Sequence, residues 1–72
     1  MQNNNKYFNQ FVDRLDVSQN ALDILKENKI NTLGQLENYN KSKLKDMGLL
    51  QNQINKIEIE LQLLGLGLKG SL

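Results

Sequence analysis

Cysteine and histidine are both missing from the 72 residues, and so are proline and tryptophan. Without cysteine there is no disulfide and no thiolate metal site. Without histidine the commonest general base and metal ligand is gone, and serine and cysteine hydrolase triads are excluded on inventory alone. Arg14 is the one arginine, and nine basic residues stand against eight acidic ones for a formal net charge of +1. Net charge therefore makes no strong claim on nucleic acid. No apolar run approaches the roughly 20 residues needed to cross a bilayer, and no signal-peptide pattern opens the chain, so no membrane association is expected and the expected location is the cytoplasm. Aspartates, glutamates and lysines are scattered with no apolar cleft implied. No catalytic residue, metal ligand or cofactor is assigned, and an enzyme is the poorest reading.

What is present is helical punctuation. A chain of this length buries only about 60% of its unfolded surface, so most large apolar residues are committed to the core of a single domain. Residues 1–5 are polar and asparagine-rich and read as a disordered linker, leaving 6–72 as the domain. Tyr7, Phe8, Phe11, Val12 and Leu15 recur at helical spacing and predict a short N-terminal helix. Its aromatic rings would clamp it to the core or, in the alternative, line a groove for a partner.

Ser18 is a good N-cap for a helix over 19–27, with Ala21, Leu22, Ile24 and Leu25 as its apolar face and Asp16 near the positive end of its dipole. The wholly polar run 26–29 ends that helix. Ile30, Asn31 and Thr32 then form a capped corner into a short helix carrying Leu33, Gly34 and Leu36. Glycine costs about 1 kcal/mol relative to alanine inside a helix, so Gly34 is expected where another backbone comes close. Asn40 caps a further helix over 41–47, with Leu44 and Met47 inward and Lys41 and Lys45 outward. Gly48, Leu49 and Leu50 make a turn into the longest helix, 51–64. There Ile54, Ile57, Leu61 and Leu64 repeat at three and four, with Leu50, Ile59 and Leu63 widening the stripe. Gly65 is placed to end it in a left-handed cap, with Leu66 and Leu68 folding back. The fold class is all-α, a compact bundle of four to five short helices.

Several of these segments carry a resemblance when taken in order. They are Leu15-Asp16-Val17-Ser18, Leu25-Lys26, Ile30-Asn31-Thr32-Leu33-Gly34-Gln35-Leu36, Leu61 and finally Leu64-Gly65-Leu66-Gly67-Leu68. From about Asp13 to the end the sequence resembles the C-terminal domain of the bacterial RNA polymerase alpha subunit. That family's pattern is a leucine-acidic-leucine-serine opening, a first helix, an isoleucine-x-threonine-x-glycine-x-leucine corner, a leucine-rich helix, a hairpin, and a long helix ending in glycine-leucine-serine-leucine. The resemblance implies a non-catalytic domain tethered to the other polymerase subunits by a flexible linker. It further implies a helix-hairpin-helix unit, binding to the minor groove of A+T-rich DNA upstream of promoters, and docking of sigma factor and activators. The isolated domain is expected to be monomeric.

The resemblance also places candidate sites. At the start of the first helix the family usually has an arginine that enters the minor groove; here the position is Asn20, uncharged but able to bond to acceptors on the groove floor. One turn on, a family asparagine is replaced by Asp23, whose carboxylate repels phosphate, while Lys26 matches. The hairpin, usually asparagine-leucine-glycine-lysine-lysine-serine, reads Gly48-Leu49-Leu50-Gln51-Asn52-Gln53. Gly48, Gln51, Asn52 and Gln53 keep donors at a helix start, but both lysines are gone. A specific arginine contact is worth about 1 to 3 kcal/mol and each phosphate contact roughly one unit of salt slope, so DNA binding is expected to be weak or absent. For protein docking, Asp16 matches an acidic position that the family turns toward sigma factor. The lysine face of Lys41, Lys43 and Lys45 suits an acidic partner such as an elongation factor. The alternatives are a helical adaptor that only docks proteins and an unrelated helix-hairpin-helix DNA-binding domain. The polymerase reading requires the starts of the first and last helices to lie side by side.

Overall fold

Capping chemistry decides where each helix begins. The computed structural model describes residues 5–70 and contains four α-helices with no β-strand among them. Ser18 opens α1 (Gln19–Glu27), its Oγ accepting from the Ala21 amide at 3.2 Å. Thr32 and Gln35 form a full capping box at α2 (Leu33–Leu36): Thr32 Oγ1 accepts from the Gln35 amide, while Gln35 Oε1 accepts from the Thr32 and Asn31 amides. Asn40 Oδ1 accepts from the Lys43 amide at 2.8 Å and opens α3 (Lys41–Asp46). At α4 (Gln51–Leu63) the preceding residue is Leu50, which has no side-chain acceptor. Gln53 Oε1 only reaches back to the Leu50 amide at 2.8 Å.

One device ends three of these helices. After α1, Lys29 is left-handed at φ 62° and the Ile30 amide donates to the Leu25 carbonyl at 2.9 Å. After α3, Gly48 is left-handed at φ 107° and Leu49 N–H reaches Leu44; after α4, Gly65 at φ 78° lets Leu66 N–H reach Leu61. In each, the buried residue after the turn packs on the helix it has just left, the apolar contact that accompanies this C-terminal motif. Lys29 holds the left-handed position without being glycine, at a cost of about 1 kcal/mol.

The core is wholly apolar, with no buried polar or charged residue among those described. It is built from α1 (Ala21, Leu22, Leu25), the corner (Ile30, Leu33, Leu36), Leu44 and Leu49 around the α3–α4 turn, and Ile54, Ile57 and Leu61 of α4. Leu66 and Leu68 close it, as the folding-back of the C-terminal segment requires.

The N-terminal helix expected over 6–15 does not form. Residues 6–9 turn, Phe11 makes an isolated antiparallel bridge with Thr32, and only Val12–Arg14 is helical, as a 3-10 turn. The reason lies in the corner. The first amides of α2 have no partner within their own helix, and the Gln10 and Phe8 carbonyls take those of Leu33 and Gly34, each at 2.8 Å. The Val12 amide in turn donates to Asn31 at 2.9 Å. An extended segment makes these bonds and a helical one cannot. Val12 and Leu15 remain buried, whereas Phe11 is 66% exposed. The Phe8 ring lies over Gly34, so close that a Cβ there would meet it at 2.6 to 2.8 Å. The close approach at Gly34 is thus a ring together with the Phe8 carbonyl.

Two further expectations need correction. Leu50, Ile59 and Leu63 do not widen the buried stripe of α4; all three are more than half exposed. Ile59 and Leu63, four apart, share the face turned away from Ile54, Ile57 and Leu61. Of the 1–5 linker, residues 1–4 lie outside the described residues. Asn5 is tied to the domain, its Nδ2 donating to the Leu64 carbonyl at 2.8 Å and its Oδ1 accepting from the Tyr7 amide.

Candidate functional site

The starts of α1 and α4 lie side by side. Gln53 Nε2 donates to Ser18 Oγ at 3.4 Å, and the Asp16 amide donates to Glu60 Oε1 at 3.3 Å, so the loop entering α1 runs along α4. Between them is a shallow groove of about 140 Å³ lined by Val17, Ser18, Ala21, Asn52, Gln53 and Lys56. The capped corner produces this arrangement. Ile30 and Leu33 are buried at the reversal of the backbone, and the α3–α4 turn, with its left-handed Gly48, returns the start of α4 to the start of α1.

Asn20, Gln51 and Asn52 are exposed and Gln53 is half-buried. Gln51 spends its amide group on Asn55 Oδ1 at 3.0 Å. No side-chain acceptor caps the N-terminus of α4, so its first amides face outward as donors, where the helix dipole favours negative charge.

The charges on this face cancel. Lys26 Nζ sits 2.5 Å from Asp13 Oδ2, and the ammonium's hydrogen bond holds the Asp13 carboxyl below its ordinary value. Lys56 Nζ is 3.5 Å from Glu60 Oε2. Asp16 is exposed, and Asp23 accepts from Gln19 Nε2 at 2.9 Å. Arg14 is committed to the N-terminal segment, its guanidinium 4.3 Å from the centre of the Tyr7 ring and bonded to Gln10 Oε1. Lys56, which lines the groove, and Lys26, further along α1, each have a carboxylate partner. Sequence reasoning did not find the Asp13–Lys26 pair, whose members are thirteen apart with no periodic signal. Lys56 was also overlooked, although its four-residue spacing to Glu60 is readable.

The lysines of α3 are exposed, as the outward face expected of them requires. Lys41 is not simply solvated: its Nζ lies 3.0 Å from Glu58 Oε1 of α4. Lys41 and Lys43 line a recess of about 600 Å³ with Asn38, Asn40, Ser42 and Lys69, which Lys45 does not join. Lys69 is brought there by the C-terminal segment, whose Lys69 amide donates to the Tyr39 carbonyl and whose Gly67 amide donates to Glu37 Oε2, each at 3.0 Å.

Among the described residues no cluster of aspartate and glutamate is arranged to hold a metal ion, and no helix is long and apolar enough to cross a membrane. No curated protein sequence matches this one. Residues 1–62 match the family described as the C-terminal domain of the alpha chain of bacterial RNA polymerase. The match begins upstream of the Asp13 at which the resemblance sets in and stops before the glycine-leucine end, so Lys69 of the recess lies beyond it. The upstream extension accords with residues 8–12 being bonded into the corner of the fold. With the match covering most of its length and an all-helical architecture in agreement, the protein belongs to the family of C-terminal domains of the bacterial RNA polymerase alpha subunit.

Proposed function

We propose that this domain serves transcription as a non-catalytic module of RNA polymerase, tethered to the other subunits. It touches A+T-rich duplex DNA weakly through the α1–α4 face and docks sigma factor, activators or elongation factors. The observation that carries this reading is the adjacency of the two helix starts, held by the Ser18–Gln53 contact. The exposure of Asn20, Gln51 and Asn52 near these helix starts supports the same reading. Their side-chain donors and the open amides of α4 suit phosphate oxygens and the acceptors of the minor-groove floor.

The weakness follows from charge. Affinity for duplex DNA comes chiefly from cations that displace condensed counterions. Lys26 and Lys56 are each neutralised by a carboxylate, and Asp16 and Asp23 add negative charge. The same observation favours a second reading, in which the domain is retained only to dock proteins.

An amide chemical-shift titration with an A+T-rich duplex at two salt concentrations separates them. The first reading expects shifts confined to the start of α1, the turn at 47–50 and the start of α4, shrinking as salt rises. Silence there would leave docking alone, and shifts centred on another face would refute the assignment of the surface.

A further inference from the structure

We propose that the recess between α3 and the C-terminal segment is a docking site for an acidic peptide, a run of aspartate or glutamate side chains on a protein associated with the polymerase. The inference deepens the docking half of the functional reading and rests on it.

Lys41, Lys43 and Lys69 line this recess, and among the described residues no carboxylate does. Lys41 already shows the pairing such a ligand would use, with Glu58 Oε1 3.0 Å from its ammonium. Lys43 and Lys69 have no carboxylate partner among the described residues. These two lysines are distant in sequence, and their meeting is built into the fold. The bonds from Lys69 N–H to Tyr39 and from Gly67 N–H to Glu37 strap the C-terminal segment to the α2–α3 connection. The result is two ammonium groups, Lys43 and Lys69, without a carboxylate partner among the described residues beside the paired Lys41, in a protein whose formal net charge is only +1. Uncharged donors on Asn38 and Ser42 complete a surface suited to carboxylates and peptide carbonyls.

Duplex DNA is the poorer occupant. It presents a continuous row of charge, about one negative charge per 1.7 Å of axis. Glu58, paired with Lys41 of the recess, and Glu37, bonded to the C-terminal strap at Gly67, would repel that row. A peptide can place carboxylates opposite Lys43 and Lys69 and turn neutral residues toward the glutamates. Complementarity of this kind sets partner choice and the rate of encounter.

The test is an amide chemical-shift titration of the 72-residue protein with a short alternating Glu-Gly peptide, its Gln-Gly counterpart and an A+T-rich duplex. The expected result is movement of amides in 38–43 and 67–70 with the Glu-Gly peptide only, shrinking as salt rises. A Lys43→Gln, Lys69→Gln double variant, with spectral dispersion confirming that it folds, should bind the peptide roughly fivefold more weakly, as befits two exposed ion pairs. Lys45→Gln should bind as the parent does. The proposal is overturned if the Gln-Gly peptide gives the same shifts, if Lys45→Gln weakens binding as much as the double variant, if the duplex moves these amides more strongly, or if the Glu-Gly peptide is silent. Silence of the peptide beside duplex shifts at α1 and α4 would overturn this site alone and leave the DNA reading standing.

Discussion

Replacing Asp13 by asparagine should strengthen what DNA binding the domain has. Asp13 contacts no part of the proposed DNA surface except Lys26, whose ammonium it holds at 2.5 Å. Both side chains are partly exposed, 53% for Asp13 and 39% for Lys26, so the freed ammonium needs only a rotamer change to reach solvent or phosphate. Asparagine keeps the shape and removes the charge. If Lys26 then gains one phosphate contact, the slope of log K against log salt steepens by about 0.9, and between about 50 and 200 mM salt the variant loses about 3.5-fold more affinity than the parent. Fluorescence anisotropy on a labelled A+T-rich duplex at those two concentrations reads this directly. A Lys26→Gln background supplies the control, since there Asp13→Asn should leave the slope unchanged. An unaltered slope in the single variant, or an equal change with and without Lys26, would refute the reasoning and remove Lys26 from the DNA surface.

Other expectations concern the fold. Gly34→Ala should destabilise by about 1 kcal/mol, because crowding against the Phe8 ring outweighs the gain in helix propensity. In a Phe8→Ala background the same change should become neutral or stabilising, as urea denaturation would show. Lys29→Gly should stabilise by about 0.5 to 1 kcal/mol by relieving a left-handed lysine, and Gly48→Ala should cost about 1 kcal/mol although nothing crowds it, because its φ is 107°. The Asp13 carboxyl titrates lower in the folded protein than in the unfolded one. Its pairing with Lys26 therefore contributes fully above the unfolded value of about 3.9 and is lost as pH falls through the folded value. Carboxyl chemical shifts should titrate lower for Asp13 than in a Lys26→Gln variant, and the stability difference between parent and Asp13→Asn should vanish at the acid end.

Residues beside one another in the sequence were the legible ones. Ser18, Thr32 and Asn40 cap the helices expected of them, because a cap is satisfied by an amide two or three residues on, while the part Gln35 plays in the box at Thr32 was not anticipated. Gly65 with Leu66 follows the same logic at a helix end. The N-terminal segment misled because apolar residues at 7, 8, 11, 12 and 15 fit a helix, while the groups that claim its backbone, the amides of Leu33 and Gly34, lie more than twenty residues away. Leu50, Ile59 and Leu63 misled because α4 carries apolar side chains on two faces, and periodicity does not say which face a neighbour covers.

By itself the sequence determined the family, the helices after the first segment and the corner, since these depend on residue identity and on spacings within a turn or two. The tertiary structure alone decided that Lys26 is neutralised by Asp13, that Lys41 is paired to Glu58 across helices, and that Lys43 meets Lys69 in a recess while Lys45 stays outside. Each of those outcomes joins side chains from separate segments, and where separate segments meet is set by how the apolar faces of all the helices close on one core.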